Sequence, residues 1–340
     1  MRFFRIDIGM KTKQFFCLAL CLSLLFTLAA CKTDGDDAAG NNNSVIVVGY
    51  AQVGAESVWR IANTKSFEET FSNDPMYDFR LVECQNKADR QIEAVSDFIA
   101  QEVDYIVIAA KEESGWDQIL IEAKDAGIPV ILSDRFIDVA DDSLYVAWVG
   151  GNFVQEGKDA MMWLNNYLAE VGRENEAMNI FHIQGSIGSS AQIGRTQSIT
   201  EGIAANPNLI LKEQQTGDFT LARGQEVMEE WLQQYDMSEI DILIAENDDM
   251  AFGAIKAMED VGLDPGRDVI VISFDACRAA VQAVIDGKIN CTVECNPLHG
   301  PRVKEIIETL EAGGTVEKIQ YVKETYFDIK NAETELENRY

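Results

Sequence analysis

The stretch at residues 105–132, YIVIAAKEESGWDQILIEAKDAGIPVIL, reads as strand, helix, strand. Residues 105–109 form a short apolar run without charge. A helix is expected over 116–126, Gly127 stops it, and 129–132 opens the next strand. A strand that is apolar on both sides must be covered on both faces, as in a parallel sheet flanked by helices.

The same unit recurs in both directions. Upstream, strand 45–49 (VIVVG) is followed by helix 59–71, strand 79–82 and helix 88–101. Downstream there is a pause at 147–151, and then the alternation restarts. Helices are expected at 154–171, 191–205, 221–235 and 250–261, with strands at 178–183, 209–212, 240–245 and 269–273. Two runs of strand–helix units predict an α/β protein of two doubly wound parallel-sheet lobes. In such sheets the binding crevice lies beyond the carboxyl ends of the strands. With two lobes, the natural site lies between them.

The 340 residues carry a formal charge of −29. This acidity argues against nucleic-acid binding, because phosphates are repelled. The amino terminus runs against the trend. Arg2, Arg5, Lys11 and Lys13 face one acid, Asp7, and an uncharged apolar run follows over 15–30. That run is shorter than the roughly 20 residues of a membrane span and reads as an export signal. Its end, Leu28-Ala29-Ala30-Cys31, resembles the lipobox of bacterial lipoproteins, so Cys31 is expected to carry lipid. An ordinary cleaved signal with Cys31 incidental is the alternative, and Met10 would serve as a start as well as Met1. Residues 31–44 are small, polar and acidic, and read as a flexible tether. Loss of residues 1–30 removes four bases and one acid, so the exported chain has a charge of −32.

Beyond the signal and Cys31, the cysteines are Cys84, Cys277, Cys291 and Cys295. They are too few for a disulfide scaffold, and two histidines in the chain give a poor zinc signature. The sequence leaves open whether two of Cys277, Cys291 and Cys295 are bridged or all are free core residues. No cofactor and no metal are expected.

Polar residues gather where the crevice should be. Gln52, Glu56, Trp59 and Arg60 follow the first strand; Asp134 and Arg135 follow the fourth. Arg195 sits one turn into a helix, Phe219 precedes another, and Asn247 and Asp275 follow later strands. Trp116 is a further candidate. Aromatic faces suit the C–H faces of a sugar, and planar charged or amide groups can bond two neighbouring hydroxyls. Mixed signs suit a neutral ligand. Each acid has a plainer reading: Asp134, Asp218, Asp248 and Asp275 could be helix N-caps. Trp163 and Trp231 read as packing residues, His182 as a buried strand residue and His299 as the start of a helix without an evident partner. Gly185 and Gly188 lack the spacing of a nucleotide-binding loop.

From about residue 45 to 330 the chain resembles the type I periplasmic sugar-binding proteins of ABC importers, and within them the galactofuranose-binding subgroup. The resemblance rests on Gln52-Val53-Gly54, Glu56-Ser57 and Trp59-Arg60, with Asp134-Arg135 and Ile137-Asp138-Val139. It rests also on Gly217-Asp218-Phe219-Thr220, Gly224 with Glu226-Val227-Met228-Glu229, and Asn247-Asp248-Asp249-Met250. It implies sugar contacts from Asp134, Arg135, Arg195, Phe219, Asn247 and Asp275, with Trp59 and Arg60 from the first loop. Gln52, Glu56 and Trp116 are further candidates. It also implies a three-crossover hinge near Gly150, Cys295 and Lys323. The amino-terminal lobe would be 45–150 plus 296–323, and the carboxyl-terminal lobe 151–295 plus 324–340. Ala109 and Cys295 depart from the ribose-binding relatives, which carry Asn and Gln there.

The expected role is a monomeric lipoprotein outside the cytoplasmic membrane, or in the periplasm, that captures a monosaccharide and delivers it to a membrane permease. A sensor that presents the sugar to a chemoreceptor or histidine kinase is the alternative. A repressor of similar lobes would need a DNA-binding domain where the signal stands. A glycosidase would need two carboxylates flanking the bond, one of them protonated. Arginine neighbours are expected to keep Asp134 and Asp275 both ionised, which leaves no general acid.

Overall fold

A computed structural model describes residues 45–340. The expected signal (1–30), Cys31 and the tether (31–44) lie outside the described residues.

The first sheet is built from β1 (Ile46–Gln52), β2 (Tyr77–Glu83), β3 (Tyr105–Ile108), β4 (Val130–Ser133) and β5 (Ala147–Gly150). Helices α1 (Val58–Phe71), α2 (Ala88–Ala100) and α3 (Asp117–Asp125) connect them. The second contains β6 (Met178–Gln184), β7 (Leu209–Thr216), β8 (Ile242–Ala245), β9 (Ile270–Asp275) and β10 (Cys291–Glu294). Its helices are α4 (Phe153–Glu170), α5 (Ser190–Ala205), α6 (Leu221–Gln234), α7 (Asp248–Asp260) and α8 (Arg278–Ile285). Then α9 (Gly300–Glu311) packs on α1, β11 (Ile319–Tyr321) joins the first sheet and β12 (Tyr326–Asp328) the second, before α10 (Ala332–Glu335). The strand orders are β11-β5-β4-β3-β1-β2 and β12-β10-β9-β8-β6-β7.

Every residue of β3, β4, β8 and β9 is buried, which is why these strands lack a polar face. The pause at 147–151 is a strand after all. Ala147-Trp148-Val149-Gly150 pairs parallel to β4 and is fully buried, but a four-residue run with Ala and Gly carries little β signal. β7 runs four residues beyond its expected end, through Glu213-Gln214-Gln215-Thr216. It is an edge strand, half solvated, so its polar half is invisible to a search for apolar runs. β12 is antiparallel to β10. It comes directly from β11 in the other sheet, with no crossover helix to restore a parallel direction.

The chain passes between the two sheets three times: after β5, between β10 and α9, and between β11 and β12. Contacts also cross the cleft. Val58 N donates to Asp249 Oδ2 at 2.9 Å, Glu113 N to Gly188 O at 3.0 Å, and Phe136 N to Ser190 Oγ at 2.8 Å. The lobes are therefore closed on one another.

Close helix packing supports the second lobe. A Cβ at Gly224 would stand 2.5 Å from Met250 Cα and O, so only glycine lets α6 approach α7 this closely. Among the described residues Cys84, Cys277, Cys291 and Cys295 are all free and buried, which decides the cysteine question in favour of core thiols. Trp163 and Trp231 are packing residues, as expected. Among the described residues, no helix is long and apolar enough to cross a membrane.

Candidate functional site

The helices that begin at the cleft are capped by Ser57, Ser189, Thr220 and Asn247, whose side chains accept backbone N–H groups of the first turn. None of the four aspartates read as possible caps fills that role. Asp248 is instead the first residue of α7, and its carboxylate accepts from Ser273 Oγ (2.6 Å), Cys277 N (2.9 Å) and Thr292 Oγ1 (3.0 Å). Burial lifts its pKa to about 6 despite those bonds. Asp218 accepts from Ser186 Oγ.

Asp134, Phe219 and Asp275 share a different property. They have φ of 64°, 60° and 104°, the left-handed region that side chains disfavour. Strain of this kind costs about 1–3 kcal/mol per residue and persists where surrounding structure over-determines it, commonly at ligand sites. Here it turns three side chains at strand ends or helix starts toward one point.

That point is a small cavity lined by Glu56, Ser57, Trp59, Arg60, Asp134, Arg135, Ala191, Arg195, Phe219, Asn247, Asp275 and Cys295. All eight principal candidates from the sequence lie on its wall, and so does Glu56. Gln52 and Trp116 do not. The Gln52 amide is spent on Tyr50, Asn63 and Thr64 and on Val53 N, holding α1 to β1. Trp116 is core, with its indole N–H donated to Glu112 O at 2.9 Å.

Two networks hold the charged walls. On the first lobe, Arg60 donates to Asp134 Oδ2 at 2.6 Å and to Glu56 Oε1 at 3.3 Å, and Arg135 Nη2 donates to the same Glu56 oxygen at 3.3 Å. The Arg60 guanidinium also stacks 4.6 Å over Trp59, whose indole N–H donates to Cys295 O at 2.7 Å. Burial opposes the charge on Arg60, but Asp134 and Glu56 outweigh it and raise its pKa. Arg135 is pulled down, first by burial and then by Arg60 beside it. A guanidinium stays protonated regardless.

On the second lobe, Arg195 donates to Glu156 Oε2 at 2.7 Å and to Glu246 O at 2.5 Å, with Asp275 Oδ1 3.7 Å away. Asn247 is spent on the fold: Oδ1 caps α7 at Met250 N, and Nδ2 donates one hydrogen to Phe219 O at 3.0 Å, leaving its second hydrogen. The expectation that arginine keeps Asp275 ionised fails. Burial pushes its carboxyl well above the usual range, Arg195 opposes this only in part, and Asp248 and Asp249 add to it.

The two histidines are structural. His182 bonds Gln214 Oε1 (3.2 Å) and Glu246 Oε1 (3.0 Å), as a buried strand residue should. His299 does have a partner, Ser133 Oγ at 3.0 Å, and burial pushes its pKa down to about 4. Sequence reasoning missed Glu156 and Glu246, the anchors of Arg195. They follow no motif, and only the fold brings them together.

The wall mixes three guanidinium groups (Arg60, Arg135, Arg195) with three carboxyls (Glu56, Asp134, Asp275). Four of its buried polar atoms have no hydrogen-bond partner among the described residues: Glu56 Oε2, Arg60 Nη1, Arg135 Nε and Arg135 Nη1. Buried donors and acceptors left unpaired are costly. Both kinds occur side by side, so a ligand that donates and accepts satisfies them. Phe219 supplies an apolar face, and the Arg135 guanidinium lies 5.2 Å from its ring centroid.

A cleft between two parallel-sheet lobes, closed over a small polar cavity, defines a bilobed binding protein. The chain belongs to the periplasmic binding protein domain family, whose sequence model matches residues 48–300. It is a binding protein, not an enzyme. It is 37% identical over 296 residues to the galactofuranose-binding protein YtfQ of Escherichia coli, covering 86% of this chain and 91% of that one. Among solved structures it resembles a Mycobacterium smegmatis protein in complex with β-D-fucofuranose (38% identity, TM-score 0.81, 86% of this chain and 94% of that one). A similar likeness holds to the binding component of the arabinose ABC transporter from Shewanella sp. ANA-3, bound to L-arabinofuranose (35% identity, TM-score 0.81, 86% and 95%).

Proposed function

We propose that this protein captures a monosaccharide, galactofuranose or a galactose-like sugar, between its lobes and delivers it to an ABC permease. Export by the amino-terminal signal and lipid on Cys31 would place it, as a monomer, outside the cytoplasmic membrane or in the periplasm. The reading is carried by four polar atoms of Glu56, Arg60 and Arg135 without hydrogen-bond partners among the described residues, in a cavity of mixed charge. A ring of hydroxyls both donates and accepts, and so matches an acceptor oxygen set beside three guanidinium nitrogens. An anion would meet Glu56, Asp134 and Asp275; a cation would meet three arginines. The furanose preference takes its support from the ligands of the relatives.

Binding acts through closure. A ligand that touches both walls stabilises the closed arrangement over the open one. Calorimetric titration against a panel of monosaccharides tests the reading: one-to-one binding of at least one sugar is expected. Heat with none of them sinks it.

A further inference from the structure

The three inter-lobe segments meet at a group of side chains beside the cavity, of which only Cys295 also lines it. Glu156 lies in the first turn of α4, just past the first segment; Cys295 lies on the second and Glu324 on the third. One donor atom from each, two carboxylate oxygens and the Cys295 Sγ, all lie within 4.8 Å of one another. Glu324 is fixed there by the other two segments, since Asn152 N and Asn296 N donate to its two oxygens at 3.3 and 3.0 Å.

A second observation concerns Glu156 itself. Its side chain is 2% exposed. One oxygen, Oε2, is held by Arg195, but the other, Oε1, has no hydrogen-bond partner among the described residues. That oxygen is directed into the group. A Cβ at Gly151 would come within 2.5 Å of it and within 2.7 Å of Glu324 Oε1, so both carboxylates converge on the space that glycine leaves. Of the two facing carboxyls only Glu156 is paired with a guanidinium, that of Arg195.

We propose that Glu156, Cys295 and Glu324 form a binding site for a thiophilic divalent cation such as Zn2+ where the three inter-lobe segments meet. Donor atoms around Zn2+ stand roughly 2.0–2.3 Å from the metal, hence about 3–4 Å apart, and modest side-chain rotation brings these three into range. A thiolate beside carboxylates selects a borderline or soft metal over Mg2+ or Ca2+. Binding would tie the three segments together. It would also draw on Glu156, whose other oxygen orients Arg195 toward Asp275, so cation and ligand sites are linked through one side chain. The proposal does not depend on which ligand the cavity takes.

The test uses the chain stripped with chelator and titrated with Zn2+ by calorimetry, then with Co2+ by absorbance. One cation per chain and a thiolate-to-cobalt charge-transfer band are expected. Cys295→Ser and Glu324→Gln should each weaken Zn2+ binding by at least about 10-fold, the lower bound even for residues that only support a ligand. Cys84→Ser should change nothing. No thiolate band, or Zn2+ affinity unchanged in both variants, overturns the proposal and assigns any heat to surface carboxylates. If Cys295→Ser does not fold, the wild-type cobalt band and Glu324→Gln decide.

Discussion

The guanidinium of Arg135, on the loop after β4, lies 5.2 Å from the centre of the Phe219 ring, which precedes α6 in the other lobe. The pair spans the cleft. Arg135 is buried, and its Nε and Nη1 have no hydrogen-bond partner among the described residues; on the proposed reading they bond the ligand. Hydrogen bonds to charged groups contribute about 1.5–3 kcal/mol each. Arg135→Met is therefore expected to weaken sugar binding by roughly 100-fold or more. The same change breaks buried ion pairs to Glu56 and Asp134, so a lower melting temperature is expected as well. Calorimetry and thermal melts read the two effects; unaltered affinity would remove Arg135 from the site.

Closure has its own contacts. Asp249 touches no part of the cavity wall, yet its carboxylate accepts Val58 N across the cleft at 2.9 Å. Loss of one such bond costs about 0.5–1.5 kcal/mol. Asp249→Ala should lower affinity about 2- to 10-fold, and stopped-flow measurement should find the change in the dissociation rate. An unchanged rate would mean that this contact does not hold the cleft shut.

Gly185 lies directly under Phe219, where an added Cβ would run into the ring. Gly185→Ala must displace the aromatic face or the backbone that carries it. A loss of about 10-fold or more in affinity is expected, together with the roughly 1–3 kcal/mol typical of overpacking in a urea titration. Wild-type affinity would show that the ring is not a binding surface.

His299 makes stability depend on pH. Folded, it is neutral, with a pKa lowered from 6.5 to about 4 by burial. The unfolded chain takes up a proton near 6.5 and the folded chain does not, so this stabilising contribution is present above 6.5 and is lost as pH falls toward 4. Between pH 7 and 4.5 the wild type should lose about 2 kcal/mol more than His299→Gln. Equal losses in urea unfolding at the two pH values would contradict this.

The two-lobe architecture was legible because β3, β4, β8 and β9 are buried on both faces and so carry unbroken apolar runs. The cavity wall was legible because Asp134, Arg135 and Asp275 are polar residues just past such runs, where parallel sheets leave their crevice, and Phe219 precedes a helix there. What stayed hidden depends on distance along the chain. β5, with Ala and Gly among its four residues, and the three-residue β12 carry little β signal, and β12 takes its direction from the segment that delivers it. Asn247 looks the same as a cap or as a contact until its partners are known. Glu156, Cys295 and Glu324 share no spacing, because it is the return of the chain through three segments that brings them together.

Titration with galactose at known furanose fractions tests the central claim most directly. The account predicts one-to-one binding whose apparent affinity for total galactose rises in proportion to the furanose fraction and is lost in Arg135→Met. Affinity independent of that fraction, or no heat at any fraction, would contradict it.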